Sequence, residues 1–396
     1  MAERTAIPSK DAELILIGPR DSFKASRIQR TSLNTEQQID TKDELGNRRH
    51  VGNVKDTPNI TLTFSAFDAG IKIFAALTGK DPNSYPGAGV DIQNLSEVDA
   101  IIQIKDDVVE DYVKTIHGRK LQVRDFTFNY SVDGDSTEEY TAIGSSRRYF
   151  KYDVIVDKFT SGGTSFALTQ TPIQLKNGNY ALSVILNGSY LTEVSGTLAT
   201  GQYKVVGTTL TTYDTLSSQA LVVYHANPTG NNWTDVSDPL LPVAIRGKDV
   251  KIEIAANSIS RVQSVSINGN LNVTTVKELG NRDVVGYQRQ VPTIEGTITV
   301  LDTDTDLVSL FSEGVVGSGI EWQPGDSQCV ASGLALKVML DDPCDEGASP
   351  VVLKTVVLPS ITITSDAYTL NVNENAQIAF NFRSEDAQCL VYSGAA

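Results

Sequence analysis

The residues whose spacing suggests metal chemistry lie in one short acidic run. Carboxylates alternate through residues 302–306 as they do at the start of an oxygen-ligand calcium loop, and Glu313 falls at position twelve, where such a loop takes its bidentate ligand. Position six, which needs glycine for a sharp turn, is Leu307. We therefore interpret Asp302, and Asp68 at the matching place of a repeat, as N-caps of short helices. A calcium site, and with it a metal-dependent hydrolase, stays as an alternative.

The other reactive side chains do not form a catalytic pattern. No nucleophile-elbow, phosphate-loop, dinucleotide-binding or metallopeptidase motif is present. We expect each of the histidines to be exposed to solvent or hydrogen-bonded locally; they are His50, His117 and His225. We predict a protein that is not an enzyme and that uses no cofactor.

The cysteines exclude two structural devices. They lack CxxC spacing and a neighbouring histidine, which argues against a disulfide framework and a tetrahedral zinc site. The three residues are Cys329, Cys344 and Cys389. The sequence leaves open whether any two of them form a disulfide.

Composition indicates an acidic, globular chain. It has 396 residues, a formal net charge of -15 and a hydrophobic fraction of 40%, which favours packed domains over disorder. Sequence-reading DNA-binding proteins obtain much of their affinity from clustered lysine and arginine, so the charge argues against that class. The apolar runs are too short to cross a bilayer and the N-terminus carries no secretory signal, so we expect neither a membrane span nor export.

An internal duplication organises these residues. Residues 26–68 align without a gap on residues 260–302, and 17 of the 43 positions are identical, where unrelated sequences would share roughly three. The longest identical stretch is Glu-Leu-Gly-Asn-Arg, the ELGNR segment, at 44–48 and 278–282. A turn requires only its glycine or asparagine, so the flanking residues indicate contact with an equivalent copy of another subunit. The predicted contact residues are Glu44, Leu45, Gly46, Asn47, Arg48, Glu278, Leu279, Gly280, Asn281 and Arg282.

The duplicated unit is predicted to be mostly strand. Apolar residues alternate with polar ones on both sides of each ELGNR segment, as at 60–64 and 294–300. A short helical spacing follows, and further alternating strands end each copy. The predicted fold class is therefore all-β dominated: a β-sandwich or barrel-like domain with one short helix, present twice.

A stretch without a partner in the repeat separates the two copies. It has its own alternating strands and connections rich in Thr, Ser, Gly and Asn, with a hairpin signal at Asn187-Gly188. We interpret it as a small inserted all-β module. The predicted domains are 1–157, the first copy, 158–240, the insert, and 241–396, the second copy.

At these residues the sequence resembles the phage tail tube proteins. The resemblance is carried by Arg261 to Ile267, by Val276 to Tyr287, and by Pro292 with the strand that follows; the first copy has the same outline from Arg27 to Asp68. Members with one such domain form stacked hexameric rings around a DNA channel, and those with two fused domains form trimers. For this chain the resemblance implies homotrimeric rings with pseudo-sixfold symmetry that form a conduit for genome ejection.

The resemblance also implies partners and a location. The chain would self-associate into rings and a tube, contact other tail proteins such as a sheath, tape measure, terminator or baseplate, and be synthesised in the host cytoplasm before entering the virion. An acidic channel repels phosphates, so DNA would pass without specific binding. The sequence does not distinguish a contractile from a non-contractile tail, nor does it place the insert on the tube.

A second function remains open from the residues of the insert. Exposed aromatic side chains stack on sugars, and the insert contains several: Tyr190, Tyr203, Tyr213 and Trp233. If they are exposed, the chain would be a β-rich adhesin or binding protein of a phage or cell surface.

Overall fold

The structure is a computed structural model in which most residues lie in β-strands, which confirms the predicted all-β class. It describes residues 12–25, 27–37, 39–42, 45, 52–55, 57–68, 70–80, 89–106, 111–151, 153–175, 178–226, 244–279, 284–301, 308, 310, 333–345, 350–370 and 375–396.

The first copy, copy 1, contains eleven strands and a helix: β1 (Ala12–Ile17), β2 (Ser22–Ala25), β3 (Ile28–Glu36), β4 (Ile39–Lys42), β5 (Gly52–Lys55), β6 (Asn59–Phe67), α1 (Lys72–Leu77), β7 (Val90–Asp91), β8 (Val98–Asp106), β9 (Asp111–Ser131), β10 (Thr137–Gly144) and β11 (Ser146–Phe150). The insert contains β12 (Asp153–Phe159), β13 (Ser165–Ala167), β14 (Leu182–Leu186), β15 (Ser189–Tyr190), β16 (Thr192–Glu193), β17 (Gln202–Val206), β18 (Thr209–Thr212) and β19 (Ala220–Ala226).

The second copy, copy 2, contains β20 (Val250–Ile254), β21 (Asn257–Ser258), β22 (Val262–Asn270), β23 (Val273–Val276), β24 (Gly286–Arg289), β25 (Thr293–Leu301), β26 (Leu334–Asp341), β27 (Val352–Thr369), β28 (Gln377–Ser384) and β29 (Leu390–Ser393). Single-turn 3-10 helices occupy Ile92–Asn94 and Gly247–Asp249.

The strand bounds repeat the sequence duplication. β3, β4, β5 and β6 recur as β22, β23, β24 and β25, each shifted by 234 residues at both ends. β10 recurs as β28 with a shift of 240 residues, and β9 and β27 have a bulge at the matching place on this partner. Val308 and Leu310 are helical at the positions that correspond to Phe74 and Ala76 of α1. Both copies therefore share one fold.

One backbone feature explains two of the repeated identities. Arg27 and Arg261 have φ values of 61° and 67°, which are uncommon for residues other than glycine. The amide of Gln29 donates to the carbonyl oxygen of Arg27 at 3.2 Å, and that of Gln263 donates to the carbonyl oxygen of Arg261 at 3.3 Å. The glutamine thus supports the same turn in each copy.

Each copy is a sandwich in which one long strand belongs to both sheets. The second half of β9 continues the sheet β3-β6-β10, while its first half pairs with β8 and β11. β27 does the same in copy 2, with β28 on one side and β26 and β29 on the other. Apolar side chains of both copies form one continuous core.

The insert consists of two four-stranded sheets around its own core. Its first strand, β12, pairs with β19 and begins at Asp153, within the range 1–157 that the sequence assigns to the first domain. A separate apolar cluster joins the insert to β1 and β8 of copy 1; its buried members are Ile15, Ile17, Ile101, Val154, Ile185, Leu221 and Val223. The insert therefore packs on the outer face of copy 1.

The corresponding face of copy 2 is charged. Glu253 and Lys337 occupy the places that Ile15 and Ile101 hold in copy 1, and their side chains approach to 3.7 Å. This difference explains why only copy 1 carries the module: its sheet has an apolar outer face that must be covered.

Candidate assembly interface

The two copies meet along one pair of strands, which we call the internal joint. Residues 125–131 of β9 run antiparallel to residues 264–270 of β22. On the buried face, Phe128 lies opposite Ile267 and Tyr130 lies opposite Val265. The resulting sheet has the strand order β3-β6-β10-β9-β22-β25-β28-β27, so the order of copy 1 is repeated by copy 2. The joint is therefore head-to-tail.

Polar side chains fix the register on the opposite face of the joint. The hydroxyl of Thr127 donates to Oδ1 of Asn268 at 2.9 Å, and that of Ser266 donates to Oδ1 of Asn129 at 2.8 Å. Because a slip by one residue would turn the apolar side chains to solvent, both faces favour the same register.

A glycine allows the joint to close around an aromatic ring. Gly269 lies opposite Phe126, and a Cβ added at Gly269 would lie 1.9 Å from a ring carbon of Phe126. Glycine in a strand commonly marks such a close approach. The ring of Phe126 is buried and has its centroid 5.4 Å from that of Phe128.

A buried ion cluster crosses the internal joint. The ammonium of Lys354 in copy 2 lies 2.9 Å from both carboxylate oxygens of Asp68 and 3.3 Å from Glu138 Oε2, both in copy 1. All three side chains are at most 2% exposed. The hydroxyl of Tyr130 donates to Asp68 at 3.1 Å and that of Tyr140 donates to Glu138 at 3.0 Å. These contacts offset the cost of removing the charges from water.

The position of Asp68 corrects one interpretation made from the sequence. The helix begins at Lys72, its N-cap is Ile71, and no side chain caps it. Asp68 is therefore not an N-cap; its carboxylate is used to bind Lys354. Asp302, the corresponding residue of copy 2, lies outside the described residues, as do the other acidic residues of the calcium hypothesis.

The cluster predicts a pH dependence. Burial raises the pKa of Glu138 to about 7, against the lowering effect of Lys354. The folded chain then holds this proton more tightly than the unfolded chain, so the free energy of unfolding decreases as pH rises from about 4.5 to about 7. We expect Glu138→Gln to flatten this decrease by on the order of 1–3 kcal/mol, measured by urea unfolding across the range. Glu139→Gln, at the adjacent exposed position, is the control; an unchanged slope in Glu138→Gln would contradict the assignment.

The ELGNR segments follow strands of two small hairpins. β4 pairs with β5 and β23 pairs with β24, each as a separate two-stranded sheet. Leu45 and Leu279 are fully exposed, and Glu278 is exposed. The other predicted contact residues, Glu44, Gly46, Asn47, Arg48, Gly280, Asn281 and Arg282, lie outside the described residues. Their contact role stays a prediction.

The second hairpin is anchored on copy 1. The guanidinium of Arg289 donates to the carbonyl oxygen of Gln93 at 3.1 Å and to Gln122 Oε1 at 2.7 Å. The hydroxyl of Tyr287 donates to the carbonyl oxygen of Lys120. The internal joint therefore includes the base of this hairpin.

A second buried polar network connects the insert to copy 1. Oδ2 of Asp99 lies 3.0 Å from Nε2 of His117, whose Nδ1 lies 3.0 Å from Nε2 of His225 in the insert. The hydroxyl of Tyr190, also in the insert, donates to Oδ1 of Asp99 at 3.0 Å. His117 and His225 are thus buried and hydrogen-bonded, and Phe150 stacks on His225 with 3.5 Å between ring centroids.

Replacement of Asp99 should weaken this junction. Burial raises the pKa of Asp99, but the hydrogen bond and charge of His117 outweigh it, so the pKa lies below its usual value of 3.8. The contribution to stability is present above pH 3.8 and is lost as pH falls through the lower folded pKa. We expect Asp99→Asn to lower the free energy of unfolding by about 2 kcal/mol at pH 7 and by less in acid, in urea titrations. Asp133→Asn, at an exposed turn, is the control, and equal losses in both variants would contradict the prediction.

The remaining candidates from the sequence do not converge on a site. Across the described ranges, no group of His, Cys, Asp or Glu side chains is arranged to hold a metal ion. Cys344 is exposed and Cys389 is buried, both as free thiols, while His50, Cys329 and Trp233 lie outside the described residues. Among the tyrosines of the insert, Tyr203 is buried, Tyr190 binds Asp99 and Tyr213 is exposed.

Comparison with known proteins adds no identification. No protein-family model matches the chain, and no curated protein matches it. Within the described part of the chain, no helix is long and apolar enough to cross a membrane. The functional argument therefore depends on the fold and on the internal joint.

Proposed function

We propose that the chain is a structural subunit of a phage tail tube. Three chains would form a ring with six copies of the duplicated domain, and stacked rings would form the conduit for genome ejection. The single observation that carries the proposal is the head-to-tail internal joint, in which copy 2 follows copy 1 in the same strand order.

A head-to-tail contact between equivalent units favours assembly. Such a contact leaves each unit with the same two complementary edges, so it either closes into a ring or continues as a filament. Ring closure removes the exposed strand edges that a single sheet would retain. With two copies in each chain, a trimer supplies six units, as the resemblance to two-domain tail tube proteins implies.

The charge and the exposed segments support the same function. A net charge of -15 per chain disfavours retention of DNA phosphates, so a channel lined by this protein would let DNA slide. Leu45 and Leu279 are fully exposed at equivalent places, which suits segments that reach a neighbouring subunit or the next ring. Other tail proteins, such as a sheath, tape measure, terminator or baseplate, would then bind the finished tube in the virion.

Electron microscopy and mass measurement test this function. We expect the purified chain, at increasing concentration, to give a trimer by light scattering and rings or tubes by negative-stain microscopy. The protein should also occur in tails isolated from the virion. A chain that stays monomeric at high concentration and is absent from tails would overturn the proposal.

A further inference from the structure

We propose that the contact between chains repeats the internal joint strand for strand, with residues 367–369 of β27 in one chain antiparallel to residues 32–34 of β3 in the next. This inference rests on the proposed self-assembly and adds the identity of the two edges and their register. The partner is a second copy of the same chain.

The two edges are the structural counterparts of the strands in the internal joint. β3 corresponds to β22 with a shift of 234 residues, and residues 364–370 correspond to residues 124–130 of β9 with a shift of 240 residues. Among the described strands, β3 pairs only with β6, and residues 365–369 of β27 pair only with β28. Each chain thus presents one edge of each kind.

The trailing edge, residues 364–370 of copy 2, exposes apolar side chains that copy 1 buries. Tyr368 is 57% exposed and Leu370 is 69% exposed, whereas their counterparts Phe128 and Tyr130 are at most 3% exposed in the internal joint. A long exposed strand edge with large apolar side chains is a template for pairing with another strand. Its burial by β3 of another chain would restore the environment of copy 1.

The leading face of copy 1, formed by β3, Lys114 and Tyr149, shows the converse difference. Lys114 corresponds to Lys354 and is followed by the same residue, threonine. Tyr149 is 54% exposed, while its counterpart Val391 is fully buried beside β7 of copy 1. The ammonium of Lys114 lies 4.8 Å from the ring centroid of Tyr149. The leading face therefore carries the side chains that copy 2 uses at the internal joint.

The register follows from the internal joint. There Asn129 lies opposite Ser266, Phe128 opposite Ile267, and Thr127 opposite Asn268. Applying the two shifts places Thr369 opposite Ser32, Tyr368 opposite Leu33, and Ala367 opposite Asn34. An aromatic side chain then meets an aliphatic one on the buried face, as in the internal joint, and small polar side chains meet on the other.

Disulfide trapping tests this register. We would make Ser32→Cys with Thr369→Cys in a chain whose Cys329 and Cys344 are replaced by serine, since directly opposed residues of an antiparallel pair lie within disulfide range. Mild oxidation of the assembled protein should give covalent dimers and trimers on a non-reducing gel. The pair Ser32→Cys with Ser365→Cys, four residues out of register on the same face, is the matched control and should give at least ten-fold less product.

A second variant separates the contact from folding. Tyr368→Lys should weaken self-association at least ten-fold in sedimentation experiments, with a melting temperature within about 2 °C of the parent protein because the side chain is already exposed. Tyr213→Lys, at a tyrosine of the insert that is 54% exposed, is the control and should assemble normally.

The outcomes distinguish this inference from the proposed function. Rings that form while the in-register pair fails to cross-link, or that tolerate Tyr368→Lys, overturn the strand pairing and leave the tail tube proposal intact. A parent chain that forms no ring or tube overturns both. Cross-linking that depends on register, together with loss of rings in Tyr368→Lys, supports the pairing.

Discussion

Replacement of Lys354 with methionine is expected to lower the free energy of unfolding by about 3–5 kcal/mol, and the melting temperature by roughly 5–15 °C. Methionine fills a similar volume but leaves two carboxylates, Asp68 and Glu138, in a site that is almost completely buried. Burial lowers the pKa of Lys354, but the two carboxylates outweigh it and the pKa stands above its usual value, so the native ammonium stays charged. Calorimetry at pH 7 measures the effect.

Two further variants define the cause. Lys114→Met removes the corresponding lysine of copy 1, which is partly exposed, and should change the melting temperature of the monomer by less than about 2 °C. Replacing Asp68 and Glu138 with their amides in the Lys354→Met background should recover part of the loss, because the unpaired charges are then gone. If Lys114→Met and Lys354→Met proved equally destabilising, the buried cluster would not be the cause.

Replacement of Gly269 with valine is expected to open the internal joint and to lower the free energy of unfolding by about 3 kcal/mol. The new Cβ would lie 1.9 Å from a ring carbon of Phe126, so the ring must leave its buried position or the strands must separate. Loss of burial of a phenylalanine side chain alone costs about 2–3 kcal/mol. Urea unfolding followed by tryptophan or tyrosine fluorescence measures the change.

The matched control is Thr35→Val, the corresponding position of copy 1, which is exposed on β3. We expect its free energy of unfolding to stay within about 0.5 kcal/mol of the parent value. Phe126→Ala combined with Gly269→Val should lose less than the sum of the two single variants, since both act on one contact. Strict additivity would show that the clash between these two residues does not cause the loss.

The sequence carried the repeated unit well because its signals are local. Alternation with a period of two predicts strands wherever a face is buried, and the described strands of the repeat keep the 234-residue shift at both ends. The ion cluster was not predicted, although Lys114-Thr115 recurs as Lys354-Thr355. The shift between these pairs is 240 residues, outside the ungapped alignment. Asp68 was assigned to the helix that follows it, because its partner Lys354 is 286 residues away.

The attachment of the insert had a readable signal as well. Leu14 to Ile17 form an unbroken apolar run in β1, whereas apolar and charged residues alternate in β20. An unbroken run predicts a strand buried on both faces. What covers the second face follows only from the packing of β12, β14 and β19 on it.

By itself, then, the sequence determined the strand composition, the duplication and the acidic charge, since each is written in neighbouring residues or in a direct comparison of two segments. The tertiary structure alone decided that β9 lies beside β22, that Lys354 neutralises carboxylates of the other copy, and that the insert covers copy 1. The physical reason is that a local pattern specifies which face of a strand is buried, whereas the neighbouring strand is selected by the packing of the whole chain.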